Sequence, residues 1–139
     1  MEHTIQKGKF KLPDPFLLRD SAVRHSLDHW PQLYKLSDEE LQRQFNGVGP
    51  DRWPEDLRLM LSEILEDVLE AVEVHDADYA IGGTEEDFHE ANKILGKNVR
   101  RLARKKYPWW KPRRLFLIEV SYIMTDVTDK YGWEGWNKR

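Results

Sequence analysis

Three residues in this chain could form one chemical site. His75 and Tyr79 stand four apart, so a helix carries both on one face. Asn92 falls on the inner face of the next predicted helix, beyond a Gly82-Gly83 turn. His75 is about seven residues before that turn and Asn92 about nine after it, so antiparallel packing would bring imidazole, phenol and amide together. Taken singly, each has a plainer role. A lone histidine on an apolar face is more often a core residue, and a buried asparagine usually caps or bridges. Together, on two apolar stripes, they cost folding free energy unless hydrogen-bonded. A second feature is the loop Phe45-Asn46-Gly47-Val48-Gly49-Pro50, where glycine frees the backbone to turn. His25 and His29, also four apart, could place two metal ligands on one face, but no third ligand is evident and they read as surface or packing histidines.

A third feature is the run RRLARKKYPWWKPRR over 100–114, with eight Lys or Arg in fifteen residues and no acid. Basic and aromatic side chains suit anionic headgroups at a bilayer surface. Arg104, Lys105, Lys106, Tyr107, Trp109, Trp110, Lys111, Arg113 and Arg114 are therefore candidate membrane-interface residues. The plain alternative is a helix C-terminus favoured by the dipole, with a Trp pair packed under the last helix. Nucleic-acid binding needs the same residue types and ranks third, because the chain as a whole is acidic.

The elements that must position these residues can be read from periodicity and capping. Residues 1–19 read as an extended arm interrupted by Pro13 and Pro15. Short helices are expected over 21–30 and 37–45, the second opened by a Ser37/Glu40 capping box. One long helix is expected from about 54 to about 80, with Leu57, Leu61, Ile64, Val68, Ala71, His75 and Tyr79 inward. Glu63, Glu66, Glu70 and Glu73 would lie on its outer side. Thr84 and Asp87 open the next helix, whose inner face carries Phe88, Asn92, Leu95, Val99 and Ala103. A last helix is expected over 113–131 with Phe116, Val120, Ile123 and Val127 inward, stopping at Gly132. No segment alternates with period two, so the fold class is all-α: a pair of long antiparallel helices, short flanking N-terminal helices and a C-terminal helix.

Composition narrows the function. The 139 residues suit a single domain over 1–139 and suffice for a core. Hydrophobic residues are 40% and charged residues 34%, a globular balance. Without cysteine, disulfides, thiolate chemistry and cysteine metal sites are excluded. With no signal-like apolar run at the start and no ~20-residue apolar span, the expectation is cytoplasmic synthesis and contact with a membrane from one side only.

Two of these motifs together resemble a family. Phe45-Asn46-Gly47-Val48-Gly49 is similar to the calcium loop of phospholipase A2 enzymes, and His75-Asp76-Ala77-Asp78-Tyr79 is similar to their His-Asp-x-x-Tyr helix. The nearest resemblance is to the cysteine-free branch, the parvoviral capsid and phage-encoded phospholipase A2-like domains, and it covers residues 45–103. It implies a calcium ion held by the carbonyls of Phe45, Gly47 and Gly49 and the carboxylate of Asp76, since calcium prefers oxygen ligands. It implies that His75 takes a proton from the attacking water while Tyr79 and Asn92 hold the imidazole. The expected function is hydrolysis of a glycerophospholipid acyl ester at a membrane surface. Three departures stand out: Asn92 occupies a position where the family usually has Asp, the Gly49-to-His75 spacing is long, an excess expected as extra helical turns, and no disulfides stiffen the site.

The same residues admit an alternative: a catalytically silent relative serving as a structural or interaction protein, of phage or virion origin. In that reading the arm over 1–19 and the aromatic tail over 131–136 bind partners, either further copies of the chain or a virion assembly partner.

Overall fold

A computed structural model describes residues 10–45, 47–50 and 52–138. Among these the chain forms six α-helices and no strand, so the all-α expectation holds. They are α1 (Pro15–Arg24), α2 (Asp38–Gln44), α3 (Glu55–Ile64), α4 (Leu69–Ile81), α5 (Glu85–Lys106) and α6 (Pro112–Tyr131). Three short 3-10 helices, Trp30–Tyr34, Glu66–Val68 and Gly132–Gly135, serve as joints. No helix among the described residues is long and apolar enough to cross a membrane.

Local chemistry explains most boundaries. Ser37 and Glu40 form the expected capping box at α2, and Thr84 and Asp87 form another at α5. The last turn of α5 carries Arg104, Lys105 and Lys106, the sign that the helix dipole favours at a C-terminus. Residues 1–9 of the expected arm lie outside the described residues. The rest of it is not all extended: Pro15 sits in the first turn of α1, where its missing N–H costs no bond, and the Asp14 side chain caps that turn. Leu18 and Ala22 are buried against the core. The short helix expected over 21–30 therefore starts earlier and ends at Arg24.

The single helix expected over 54–80 is two helices. Leu65 (φ −103°, ψ 22°) and Val68 (φ −125°, ψ 17°) leave the helical region and flank the 3-10 turn Glu66–Val68. This joint resets the rotational phase, so periodicity read across it misplaces side chains. α4 is then covered over most of its circumference. Glu70 and Glu73, expected outside, are 2% and 0% exposed. Glu70 Oε2 accepts from Ser21 Oγ at 2.7 Å and from Lys106 Nζ at 2.8 Å. Glu73 has no hydrogen-bond partner at either oxygen.

α4 and α5 run antiparallel, as expected. Lys106 near the end of α5 donates to Asp67 O before α4, while Asn92 near its start meets His75 in the second half of α4. α6 turns back again along α5, with Arg100 reaching Ser121 and Asn92 reaching Asp129. The core between them holds Val68, Val74, Val99, Leu102 and Leu117, all fully buried. Each contributes roughly 1.5–3 kcal/mol by leaving water.

The inward face of α6 is not the apolar stripe that was expected. Phe116, Ile123 and Val127 are 42%, 61% and 43% exposed, and only Val120 of that set packs against the core. Leu117, Ser121, Thr125 and Thr128 face inward instead. Their hydroxyls bond the helix's own carbonyls: Ser121 to Ile118 O, Thr125 to Ser121 O and Thr128 to Met124 O. A hydroxyl satisfied this way can be buried at little cost, and its small side chain lets α6 approach α5 closely.

The tail folds back onto the turn between α4 and α5. Trp136 is 4% exposed, packs against Tyr79 and Phe88, and donates from Nε1 to Gly83 O. The expected partner-binding extension over 131–136 is thus largely intramolecular. Gly82 makes this possible. Its φ of 74° with ψ of −156° suits only glycine, and a Cβ there would meet Asn137 O at 1.8 Å. Gly82→Ala is expected to lower stability by roughly 1–3 kcal/mol, read as a fall in the urea midpoint together with solvent exposure of the Trp136 fluorescence. An unchanged midpoint would mean the tail is not held there.

Candidate functional site

His75, Asp76 and Tyr79 share a cleft of about 690 Å³ with Gly49 of the glycine loop. Val72 and Met124 supply part of its apolar wall. α4 delivers the first three because positions 72, 75, 76 and 79 fall on one side of a helix. α2 and the following loop bring Gly49 to the same opening, although 26 positions separate it from His75. α3 and the 3-10 turn take up that spacing, not extra turns of the active helix.

His75, Tyr79 and Asn92 are joined directly. His75 Nε2 donates to Asn92 Oδ1 at 2.9 Å, and Tyr79 Oη donates to the same oxygen at 2.9 Å. The His75 and Tyr79 rings lie against each other at 4.4 Å between centroids, tilted by 46°. Asn92 is fully buried and His75 is 8% exposed. Burial holds the imidazole below the usual histidine range, against the opposite pulls of the Asn92 bond and the Asp78 charge. The ring is therefore neutral at pH 7, and with Nε2 donating, Nδ1 is left as the basic nitrogen. Burial also pushes the Tyr79 hydroxyl well up, so it stays a donor.

The network extends to a residue that sequence reading missed. Asn92 Nδ2 donates to Asp129 Oδ1 at 2.9 Å, and His89 Nδ1 donates to that same oxygen at 2.8 Å. Partial burial works to raise the Asp129 pKa, but the bonds from Asn92 and His89 outweigh it and hold the group below its usual range. Asp129 lies 37 positions from Asn92 near the end of α6, and no motif flags it. A lone acid in Thr-Asp-Lys reads as surface.

The glycine loop is pinned from beneath. Ser62, fully buried on α3, accepts from Val48 N–H at 2.8 Å and donates to Arg58 O at 2.7 Å. Gly47 and Gly49 have φ of 99° and 100°, the conformation in which only glycine is unstrained. Asn46 lies outside the described residues. Of the groups implied for calcium, Gly49 and Asp76 line the cleft, whereas Phe45 is 5% exposed with its ring in the core and Gly47 packs toward Ser62 and Leu12. A backbone oxygen and a carboxylate are the donor types a hard cation takes. Among the described residues no three His, Asp or Glu side chains converge as a metal set, so the ion would sit in an open site completed by backbone and water oxygens. Arg52 on the loop and Glu134 beyond α6, 3.4 Å apart, span one rim.

The basic, aromatic stretch divides in two. Lys106, Tyr107 and Arg113 are structural: Lys106 meets Glu70 at 2.8 Å, Tyr107 Oη donates to Asp67 at 2.6 Å and Arg113 Nε pairs with Asp67 at 3.2 Å. Lys105 bonds His25 O and Arg114 bonds Tyr107 O. Trp109 and Trp110 are 83% and 60% exposed, so they do not pack under α6, and Lys111 lies over the Trp110 ring. Arg104 lines a shallow groove with Lys97, Arg100, Arg101 and Lys105. His25 and His29 are packing residues: His25 bonds Ser21, and His29 Nδ1 bonds the buried Asp78 carboxylate at 3.0 Å.

Comparison of the chain with protein-family models, curated proteins and solved structures finds no match.

Proposed function

We propose that this chain is a calcium-dependent hydrolase of the phospholipase A2 type, acting on an acyl ester of a glycerophospholipid. The observation that carries the reading is the convergence of His75 Nε2 and Tyr79 Oη on Asn92 Oδ1, at the wall of a cleft that also holds Asp76 and Gly49. The resemblance of the two motifs supplied the family, and the geometry supports it with a neutral imidazole held through Nε2 at the wall of the cleft.

In this reading Nδ1 of His75 takes a proton from water as its oxygen forms a bond to the ester carbonyl carbon. The same proton then passes to the departing alkoxide as the acyl C–O bond breaks. Tyr79 and Asn92 keep the ring from turning. Val72 and Met124 offer an apolar wall to an acyl chain. Asp76 and the Gly49 carbonyl would hold calcium, which would supply positive charge against the developing oxyanion. Trp109, Trp110, Lys111 and Arg104 form the open part of the basic, aromatic surface and are the residues proposed to meet a phospholipid membrane.

Calcium binding tests the metal half directly. Calorimetric titration of the protein should give a saturable heat that Asp76→Ala abolishes. Absence of any heat up to millimolar calcium, with and without lipid vesicles, would overturn the calcium assignment.

One observation favours a second reading, a silent interaction protein. The Phe116, Ile123 and Val127 stripe stands open along α6, the kind of face that another chain can cover. Light scattering that shows a stable oligomer, together with an inactive wild type, would favour that reading.

A further inference from the structure

We propose that Asp129 is a positioning residue of the cleft: it sets which way round the Asn92 amide sits, and through that which nitrogen of His75 carries the proton. Only the activity arm of the test below rests on the hydrolytic reading.

An asparagine amide has two ends of nearly equal shape, so packing alone does not choose between them. Partners choose. His75 and Tyr79 cannot decide the matter by themselves. With the amide reversed, Asn92 Nδ2 would donate to His75 Nε2 and to the Tyr79 oxygen, and the ring proton would move to Nδ1. That network still bonds both rings to Asn92, at the cost of the acceptor for the Tyr79 hydroxyl, but the basic nitrogen then faces Asn92 and the proton sits on Nδ1.

Asp129 breaks the tie. An ionised carboxylate only accepts, so the end of Asn92 that lies 2.9 Å from Asp129 Oδ1 must be the NH₂. Asn92 Oδ1 is then turned to His75 and Tyr79 and takes one donor on each lone pair. His75 is left as the Nε2–H form with Nδ1 bare. His89, donating to the same Asp129 oxygen at 2.8 Å, braces the carboxylate from its outer side. The arrangement also accounts for an amide at position 92. A carboxylate there would face Asp129 at hydrogen-bond distance, and two such groups cannot both ionise.

The test reads the tautomer itself. Long-range ¹H–¹⁵N spectra of labelled protein at a pH where His75 is neutral should show Nε2 protonated in wild type. Asp129→Asn presents an amide that can turn either end to Asn92 and should leave His75 as a mixture of the two forms. Asp129→Leu removes the acceptor and should move His75 wholly or partly to the Nδ1–H form. The side chain is 41% exposed, so the fold should tolerate the change, and Asp129→Ala is carried alongside. His89→Ala leaves the acceptor in place and should leave the tautomer alone. In the activity arm, Asp129→Leu should lower kcat by roughly ten- to a hundred-fold with KM unmoved, and Asp129→Asn should fall between it and wild type. A Nδ1–H ring in wild type, or an unmoved Nε2–H ring in both Asp129→Leu and Asp129→Ala, would overturn the proposal. Tautomers that move as stated, in a protein without hydrolytic activity, would sustain it while removing the hydrolytic reading.

Discussion

His75→Ala is expected to reduce phospholipid hydrolysis by a factor of roughly 10²–10⁴, the usual contribution of a positioned general base. The measurement is initial rates on anionic phospholipid vesicles with millimolar calcium. His75 is nearly buried and bonded to Asn92 at 2.9 Å, so removing the ring also leaves Asn92 Oδ1 short of a donor. His75→Gln is the companion variant, because its amide N–H can still donate to Asn92 while offering no base. Loss of rate in His75→Gln with an unchanged circular dichroism spectrum assigns the loss to chemistry and not to folding. Two outcomes would sink the reading: a wild type with no calcium-dependent hydrolysis, or a His75→Gln variant within about threefold of wild type, a margin far below the stated general-base effect.

Glu73→Gln is expected to stabilise the protein in alkaline solution and to flatten its pH dependence. Glu73 is fully buried between α1 and α4, and neither oxygen has a hydrogen-bond partner. Burial raises its pKa from 4.5 to about 8, with the Arg19 charge pulling it back and Glu70 and Asp14 pushing it further up. The folded protein therefore keeps a proton that the unfolded chain has already released. Where the native state binds more protons than the unfolded one, stability falls as pH rises. The contribution is fully present below pH 4.5, declines across the window from 4.5 to about 8 and is flat beyond it. At roughly 1.4 kcal/mol per pKa unit, the total loss is on the order of 5 kcal/mol. Glutamine carries no such proton, so its urea midpoint should hold steady across the window and exceed that of wild type above pH 8. Parallel pH profiles for the two proteins would show that Glu73 is solvated in solution.

Where the sequence was legible, the physics was local. Both capping boxes form because an N-cap hydroxyl and a carboxylate three residues on satisfy each other's backbone N–H, whatever lies around them. The meeting of His75, Tyr79 and Asn92 followed from helix period and a short Gly82-Gly83 turn, and the two bonds to Asn92 are found as the spacing requires. Misreadings arose where a side chain's surroundings come from elsewhere in the chain. The 3-10 joint at Glu66–Val68 shifts the phase of α4, and α1 then covers its far side, so Glu70 and Glu73 become interior. α6 buries hydroxyls in preference to Phe116, Ile123 and Val127, because its own carbonyls satisfy them and small side chains fit against α5. Lys106, Tyr107 and Arg113, which read as membrane-facing, are claimed by Asp67 and Glu70.

The sequence by itself determined the helical class, the helix caps and the pairing of α4 with α5, since each depends on residues within a few turns of one another. Tertiary structure alone decided that the glycine loop and His75 share one cleft, that Trp136 covers the turn beside Tyr79, and that Asp129 orients Asn92 from 37 positions away. The reason is that hydrogen-bond direction and burial are properties of the groups that surround a side chain, and those groups are chosen by packing among helices and not by neighbours along the chain.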